Sequence, residues 1–552
     1  MRPDGKPEGL RQSMSWLHTW SGLLLGWLLY AVFFTGTLSY FLDEITDWMR
    51  PELHQSVPGP QTAALAMATM QKLAPDATTW TINLPGERQT AVEASWRKPG
   101  AAAGRAGNQR VQLDAGTGEV LQPRETRGGS FLYRFHFELY AMPRVWGRWI
   151  VGIATMFMFV AIISGVITHK KIFADFFTFR PRKGQRSWLD AHNATAVLAL
   201  PFHIIITFSG LLLLMFMLMP WGIDAVYNGD TQKYFAESRG RPAAGAGERE
   251  GAPRGGRAQP AEPAQLAAIA PLMAAAQARW PERGVGSIAV QRPGTPGATI
   301  ELREQGARAL VRGGGERLLF DGVTGAPLTP PQARATSAAQ AVSGAVIGIH
   351  LGRFADPALR WLLFLSGLIG TVMAGSGMVL WVVKRLPERR KLGRTPHGHR
   401  LVEVLNIAAI GGLSLATAGY FWANRLIPVE IAQRADMEIR CFFAVWSVGL
   451  LHAMLRPHRR AWLEQLWLAA IAFGTLPLLN AATGGVALPA AMLRGQWGIA
   501  GFDLVVLALA VLHGFAAWKL GASASLAAPQ RNASGAGMRI PRPVAQSPEK
   551  QA

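Results

Sequence analysis

Apolar residues gather in eight long stretches, and short charged runs divide them. A spanning helix needs about 20 mostly apolar residues. Strong candidates run from about Trp16 to Leu42, Trp149 to Thr168, Ala191 to Met219 and Leu359 to Val383. Weaker or shorter ones run from about Val402 to Trp422, Glu438 to Leu455, Trp462 to Leu479 and Ile499 to Leu520. The first is too long for a signal-peptide core and lacks a clear small-residue cleavage site, so it counts as a span. The pattern predicts an all-α polytopic membrane protein of about eight transmembrane helices.

Two long loops, about 43–148 and 220–358, switch to the alternating pattern of strands. The first reads TTWTINLP, TAVEASW and RVQLDAGTGEVL; the second reads GSIAVQ, ATIELRE and RLLFDGVTGAPL. Asp114 to Gly118 and Asp321 to Gly325 predict matching hairpin turns, with glycine supplying the unusual backbone angle. Each loop is therefore expected to fold as a small α+β domain. Residues about 235–262, rich in Gly, Ala, Arg and Pro, predict a disordered insertion in the second loop. The expected organisation is 1–42 (N-terminus and first span), 43–148 (first domain) and 149–219 (spans two and three with their loop). Then come 220–358 (second domain), 359–390 (span four and a basic loop), 391–520 (four further spans) and 521–552 (a disordered tail).

A formal charge of +21 raises the question of nucleic acid. Its distribution answers no, because the basic residues sit in short runs between spans. Lys170, Lys171, Arg180, Arg182, Lys183 and Arg186 lie between spans two and three. Lys384, Arg385, Arg389, Arg390, Lys391, Arg394 and Arg400 lie between spans four and five, and Arg456, Arg459 and Arg460 between spans six and seven. If every stretch crosses, all three runs share one side of the bilayer. The positive-inside rule makes that side the cytoplasm, with both termini there and both long loops in the periplasm, as for a bacterial inner-membrane protein. The only cysteine, Cys441, excludes an intrachain disulfide, a Cys-based zinc site and a Cys-ligated iron–sulfur cluster.

The first half repeats itself. His18 stands 18 residues before Gly36, and His192 stands 18 before Gly210. Arg148 stands 17 residues before Gly165, and Arg360 stands 17 before Gly377. His136 lies 12 residues before Arg148, and His350 lies 10 before Arg360. The unit is span, hairpin domain, histidine, span; two copies predict a duplicated four-helix core. The copies differ at Trp381, which stands where the first has His169, and at Leu29, which stands where the second has His203.

Ionisable residues inside a bilayer are costly and mark function. The duplicated half places His18, His169 and His192 near the cytoplasmic ends of their spans, and His136 and His350 at the periplasmic entrances. His203 lies 11 residues past His192, about 16 Å further along a helix, toward the periplasmic layer. Neutral imidazole is a common axial ligand to haem iron. Two layers of imidazoles suit two stacked haems better than zinc, which prefers clustered ligands with carboxylate or thiolate help. A proton relay would need intramembrane acids, of which these spans hold almost none. Gly36, Gly165, Gly210 and Gly377 allow close approach, either between helices or against a porphyrin. Arg148 and Arg360 are placed to pair with haem propionates or to anchor at the interface. His54, His397, His399 and His458 fall in loops and are expected to be solvated. His452 and His513, outside the repeat, are secondary candidates for a cofactor or quinone.

WLHTWSGLLLGWLLYAVFFTGTL, FHFELYAMPRVWGRWIVGIATMFMFVAIISGVITHKKIFADFFTFRP, WLDAHNATAVLALPFHIIITFSGLL and IHLGRFADPALRWLLFLSGLIGTVMAGSGMVLWVVKR together resemble the PepSY-associated transmembrane helix family. That family includes iron-regulated membrane proteins and ferric-siderophore reductases. The resemblance covers about residues 14–390 and implies two PepSY-like periplasmic domains, b-type haem and one-electron reduction of ferric chelates or siderophores near the periplasmic face. It implies haem ligation by residues among His18, His136, His169, His192, His203 and His350. The insertion and the four extra spans depart from the four-span pattern. No G-x-G-x-x-G motif sits at a strand-to-helix turn, and the cytoplasmic loops are too short for a flavin or nicotinamide domain. The electron donor is thus expected to be external, a quinol or a cytoplasmic reductase. The alternative is a membrane-anchored module that binds or regulates a periplasmic protein and holds no haem.

Overall fold

The structure is a computed structural model that describes residues 9–86, 88–101, 107–169, 176, 178–181, 183–238, 264–305, 316–329, 338–352 and 354–525. Helix α1 (Leu10–Leu38) is apolar along most of its length, and a short turn joins it to α2 (Leu42–Trp48). Next come α3 (Thr62–Leu73), α4 (Gly129–Glu138) and α5 (Arg144–Thr168). A third crossing follows as α6 (Gln185–Leu198) and α7 (Leu200–Leu213), bent by 66°. The bend falls where Pro201 lacks the amide hydrogen that would continue the helix. Helices α8 (Ile269–Arg279), α9 (Ala338–Leu351) and α10 (Pro357–Lys384) complete the histidine-bearing part. The start of α10 is set by Pro357 in its first turn and by the Asp356 carboxylate, which accepts from the Leu359 amide at 2.9 Å.

Seven described helical segments are long and apolar enough to cross a membrane, and the bent pair α6–α7 makes eight. The chain is therefore a multi-pass membrane protein. Exposed Ile150, Ile153, Phe157 and Ile163 give α5 a lipid-facing stripe. Helix α1 packs against α5 and α10, α10 against α6, and α7 against α5 and α9. These contacts close a ring of four crossings.

The two long loops do not stand as separate domains, as their sequence suggested. The first supplies β1 (Thr79–Asn83), β2 (Val92–Arg97), β3 (Asn108–Leu113) and β4 (Val120–Leu121), and the second β5 (Val285–Gln291), β6 (Thr299–Glu304), β7 (Arg317–Asp321) and β8 (Pro327–Leu328). They build one eight-stranded sheet, ordered β4-β3-β2-β1-β5-β6-β7-β8, antiparallel at every pairing. Strands β1 and β5 join the halves, with Trp80 opposite Val290 and Ile82 opposite Ile288. Each would otherwise leave a row of unpaired backbone groups at an edge, and pairing them removes both edges. One buried core of Trp80, Ile82, Ala94, Ile288, Val290 and Ile300 runs beneath both halves, with Met70 of α3 and Leu272 of α8. Both predicted turns form: the Asp114 and Asp321 carboxylates accept backbone N–H groups two and three residues on. Most of the expected disordered insertion, 239–262, lies outside the described residues, but its first part belongs to a helix, Thr231–Ser238. Of the expected tail, 521–525 continues the last helix, and 526–552 lies outside the described residues.

The remaining four crossings are α11 (His397–Ile407) together with α12 (Leu413–Leu426), then α13 (Arg434–Leu455), α14 (His458–Gly474) and α15 (Trp497–Ser525). A π-helical turn, Ala408–Gly412, joins α11 to α12. This group docks on α1, α2 and α10 through buried polar contacts. Asn406 accepts from Trp27 Nε1 at 2.8 Å and donates to Met378 O at 3.1 Å. Trp48 Nε1 donates to Asp503 at 2.9 Å. Nearer the sheet, Glu438 is fully buried; it pairs with Arg434 and accepts from Thr126 at 2.6 Å and Asn424 at 2.8 Å.

His54, expected to be solvated, is instead fully buried in this seam. Its Nε2 donates to Asp47 O at 3.0 Å, and its Nδ1 accepts from the Val486 amide at 3.3 Å. The loop folds under the added helices, so its polar flanks in sequence gave no sign of burial.

Candidate functional site

Each crossing of the four-helix ring carries a hydroxyl residue followed by glycine: Thr35-Gly36, Ser164-Gly165, Ser209-Gly210 and Ser376-Gly377. Each hydroxyl turns back on its own helix, to Ala31 O (2.7 Å), Val160 O (2.7 Å), Ile205 O (2.6 Å) and Met373 O (2.9 Å). The missing Cβ beside it makes a notch, and an imidazole fills each notch. His136 lies against Gly36, His18 against Gly165, His350 against Gly210 and His192 against Gly377. The glycines thus receive a side-chain ring, not a neighbouring helix backbone.

The same notch supplies a hydrogen-bond acceptor. His18 Nδ1 meets Ala161 O at 2.9 Å, His136 Nδ1 meets Val32 O at 2.7 Å and His192 Nδ1 meets Met373 O at 3.0 Å. Each of those carbonyls belongs to the residue four before the notch glycine. His350 Nδ1 meets Ser209 Oγ at 2.9 Å. That hydroxyl gives its own hydrogen to Ile205, so it accepts from His350. A carbonyl can only accept, so all four rings carry hydrogen on Nδ1 and a bare lone pair on Nε2. No Nε2 of the four makes a hydrogen bond among the described residues.

The four rings form two close pairs, one with its planes at 64° and the other with its planes at 39°. His18 and His192 lie 6.1 Å apart between ring centroids, and His136 and His350 lie 6.2 Å apart. Each pair takes one histidine from either half. Along α1, His18 and Val32 mark the two levels, 14 residues or about 21 Å apart. The second pair lies nearer the sheet.

The other candidates lie outside these pairs. His169 closes α5 and meets Asn193 Nδ2 with its Nε2 at 2.9 Å. His203, 1% exposed, packs beside Phe33 and against Gly370. It precedes Gly210 by seven residues, and Gly370 precedes Gly377 by seven, so it sits about midway between the levels. Its Nε2 has no hydrogen-bond partner among the described residues. Arg148 pairs with Glu138 at 2.5 Å, while its buried Nε stays unpaired among the described residues. Arg360 pairs with Glu44 at 3.0 Å. His452 pairs with Glu464 at 2.6 Å, and His513 donates to Leu509 O at 2.7 Å, a carbonyl of its own helix. No group of three or more metal-ligating side chains occurs among the described residues. Sequence spacing located the four paired rings but left their partners open, because pairing depends on how the helices close the ring.

A family profile described as the PepSY-associated TM region matches residues 15–384. That range holds both pairs and the whole sheet and ends at the last residue of α10. No curated protein matches the chain.

Proposed function

The chain belongs to the PepSY-associated transmembrane family, and from that premise and its paired imidazoles we propose that it transfers electrons within the membrane on two b-type haems. One would be held by His18 and His192, the other by His136 and His350, within a core built by duplication. The observation that carries this reading is the pair geometry. A metal–imidazole bond is about 2.0 Å, and with about 1.1 Å more from each nitrogen to its ring centre, two imidazoles that shared one iron would have centroids about 6.2 Å apart. The observed 6.1 and 6.2 Å fit that arrangement. Four Nδ1–H tautomers fixed by acceptors behind the rings leave each Nε2 bare, as a histidine that would hold iron requires.

Bound haem supplies one-electron chemistry; the protein supplies ligands, orientation and a dry surrounding. The notches hold the imidazoles at fixed depth and fixed tautomer, with no proton needed at either centre. The unpaired Nε of Arg148 is available to a propionate. Arg360 is engaged by Glu44 and is the weaker candidate for that role. With the basic loops in the cytoplasm of a bacterial inner membrane, the sheet and its two PepSY-like halves face the periplasm. The sheet-side pair then lies beneath the surface where a ferric chelate or siderophore would be reduced during iron acquisition. The electron donor is external to the chain.

The test is to substitute His18→Ala and His136→Ala singly, count haem per chain, and mix dithionite-reduced protein with ferric citrate. The expected result is loss of one haem from each variant and reoxidation of the wild type by the chelate. Unchanged haem content in both variants, or a reduced protein indifferent to the chelate, would overturn the reading. Absence of haem in the wild type would favour a binding module built on the sheet.

A further inference from the structure

The electron path described so far makes no use of the helices beyond α10. Those helices build one wall of a cavity of about 400 Å³. Its other wall is the histidine-bearing ring itself, through Phe34 and Leu38 of α1 and Phe364 of α10. Phe421 of α12, Phe473 of α14 and Phe502 of α15 close it from the added side. The surroundings are aromatic and apolar, as suits a flat ring within a bilayer.

Two features set this cavity apart from a mere packing gap. The first is its position. Phe34 and Leu38 flank Gly36, which faces His136. At 100° per residue both point to the opposite side of α1. One helix, about 10 Å across with its side chains, therefore separates the cavity from the sheet-side histidine pair. The second is its polar end. Glu44, 8% exposed, lines the cavity and is gripped by Arg88 (2.8 Å to each carboxylate oxygen) and by Arg360 (3.0 Å). Among the described residues Oε1 accepts from both arginines and Oε2 from Arg88, and a carboxylate oxygen has a second lone pair for another donor. Trp361 and Trp497, both exposed, also line the cavity near this end, as tryptophans do at a membrane interface.

We propose that this cavity binds a lipid-soluble quinol, and that the added helices exist to hold the electron donor beside the sheet-side pair. The inference rests on the haem reading above and adds the donor to it. The quinol ring would lie among the phenylalanines with one hydroxyl donating to Glu44 Oε2 and its tail leaving toward lipid. Oxidation of one quinol breaks two O–H bonds and yields the quinone, two protons and two electrons. The protons leave past Glu44 to sheet-side water. The haem that His136 and His350 would hold would accept these electrons one at a time, and the two electrons from each quinol would reduce two ferric chelates to ferrous ones. Two haems let a two-electron donor serve a one-electron acceptor.

Gly501 lines the cavity, and a Cβ there meets no heavy atom within 4 Å. Gly501→Phe should fill the space without disturbing the helices, and Val505→Phe fills it from the next turn. The experiment uses the purified full chain with decylubiquinone in calorimetry, and decylubiquinol in rapid-mixing absorption, alongside dithionite reduction. We expect saturable binding of one decylubiquinone per chain, haem reduction by decylubiquinol, and at least tenfold weaker binding in either filled variant with haem content unchanged. Haem that dithionite reduces but decylubiquinol does not, or binding unaffected by both filled variants, would overturn the inference and leave the haem reading standing; the cavity would then hold lipid chains. Saturable binding to a chain without haem would instead overturn the electron delivery together with the haem reading.

Discussion

Of the four notches, the one at Gly36 is the tightest, which makes Gly36→Ala a graded test of the histidine cradle. A Cβ there would lie 2.6 Å from both Cε1 and Nδ1 of His136, whereas at Gly165, Gly210 and Gly377 the nearest ring atom is 3.1 Å away. An ordinary contact needs about 3.5 Å or more, so His136 must retreat by about 1 Å, and the other three rings by only a few tenths. The His136 bond to Val32 O, 2.7 Å in the wild type, would then stretch beyond hydrogen-bonding range. That costs about 1 kcal/mol directly. Loss of an orienting partner behind a metal-bound histidine also typically weakens the metal by 10–100-fold. A retreat of a few tenths leaves the 2.9 Å bond of His18 intact. The assay is haem content by pyridine haemochrome before and after exposure to a haem-scavenging apoprotein, with a potentiometric titration resolving the two components. Gly36→Ala should lose or shift one component, and Gly165→Ala should hold both. Equal behaviour of the two variants, or no change in Gly36→Ala, would refute the cradle.

Other outcomes follow from the same geometry. His169→Ala and His203→Leu should leave haem content at the wild-type value, because neither ring belongs to a histidine pair; loss of a full haem from either would redraw the ligand set. Glu438→Ala should destabilise the protein by about 3–5 kcal/mol, since it strands the fully buried Arg434 and frees Thr126 and Asn424. An unchanged melting temperature in detergent would show that the seam does not hold the added helices. Burial pushes the His54 imidazole down to about 4. A group whose folded pKa is depressed takes up protons more readily when unfolded. Its contribution is therefore complete above about pH 6.5 and lost as pH falls toward 4, up to about 3 kcal/mol. His54→Gln should flatten that part of the pH–stability curve, and an identical slope in the variant would assign it to other groups.

Much of this architecture was legible in the sequence. The spans follow from apolar length, and the strands from alternation at TWTIN and TIELRE. The four cradle glycines and their histidines follow from equal spacing in two halves. What the sequence withheld is long-range. Trp80 and Val290 each look like part of a small sheet, and nothing local says that their strands pair. His203 and His169 carry the same chemistry as the paired rings. The bend at Pro201 and the closure of the helix ring decide which imidazoles face one another. His54 looks solvated until residues 480 to 496 are seen to fold over it. The phenylalanine-lined cavity draws on α1, α10, α12, α14 and α15 together, and so has no signature in any one of them.

The central claim is that His18 with His192, and His136 with His350, each hold one iron porphyrin. The measurement that bears on it most directly is the visible spectrum of the purified chain, oxidised and dithionite-reduced, with haem counted per protein. Two low-spin b-type haems per chain, with a sharpened alpha band on reduction, is the predicted result. A chain with no Soret band and no change in the alpha region would contradict it.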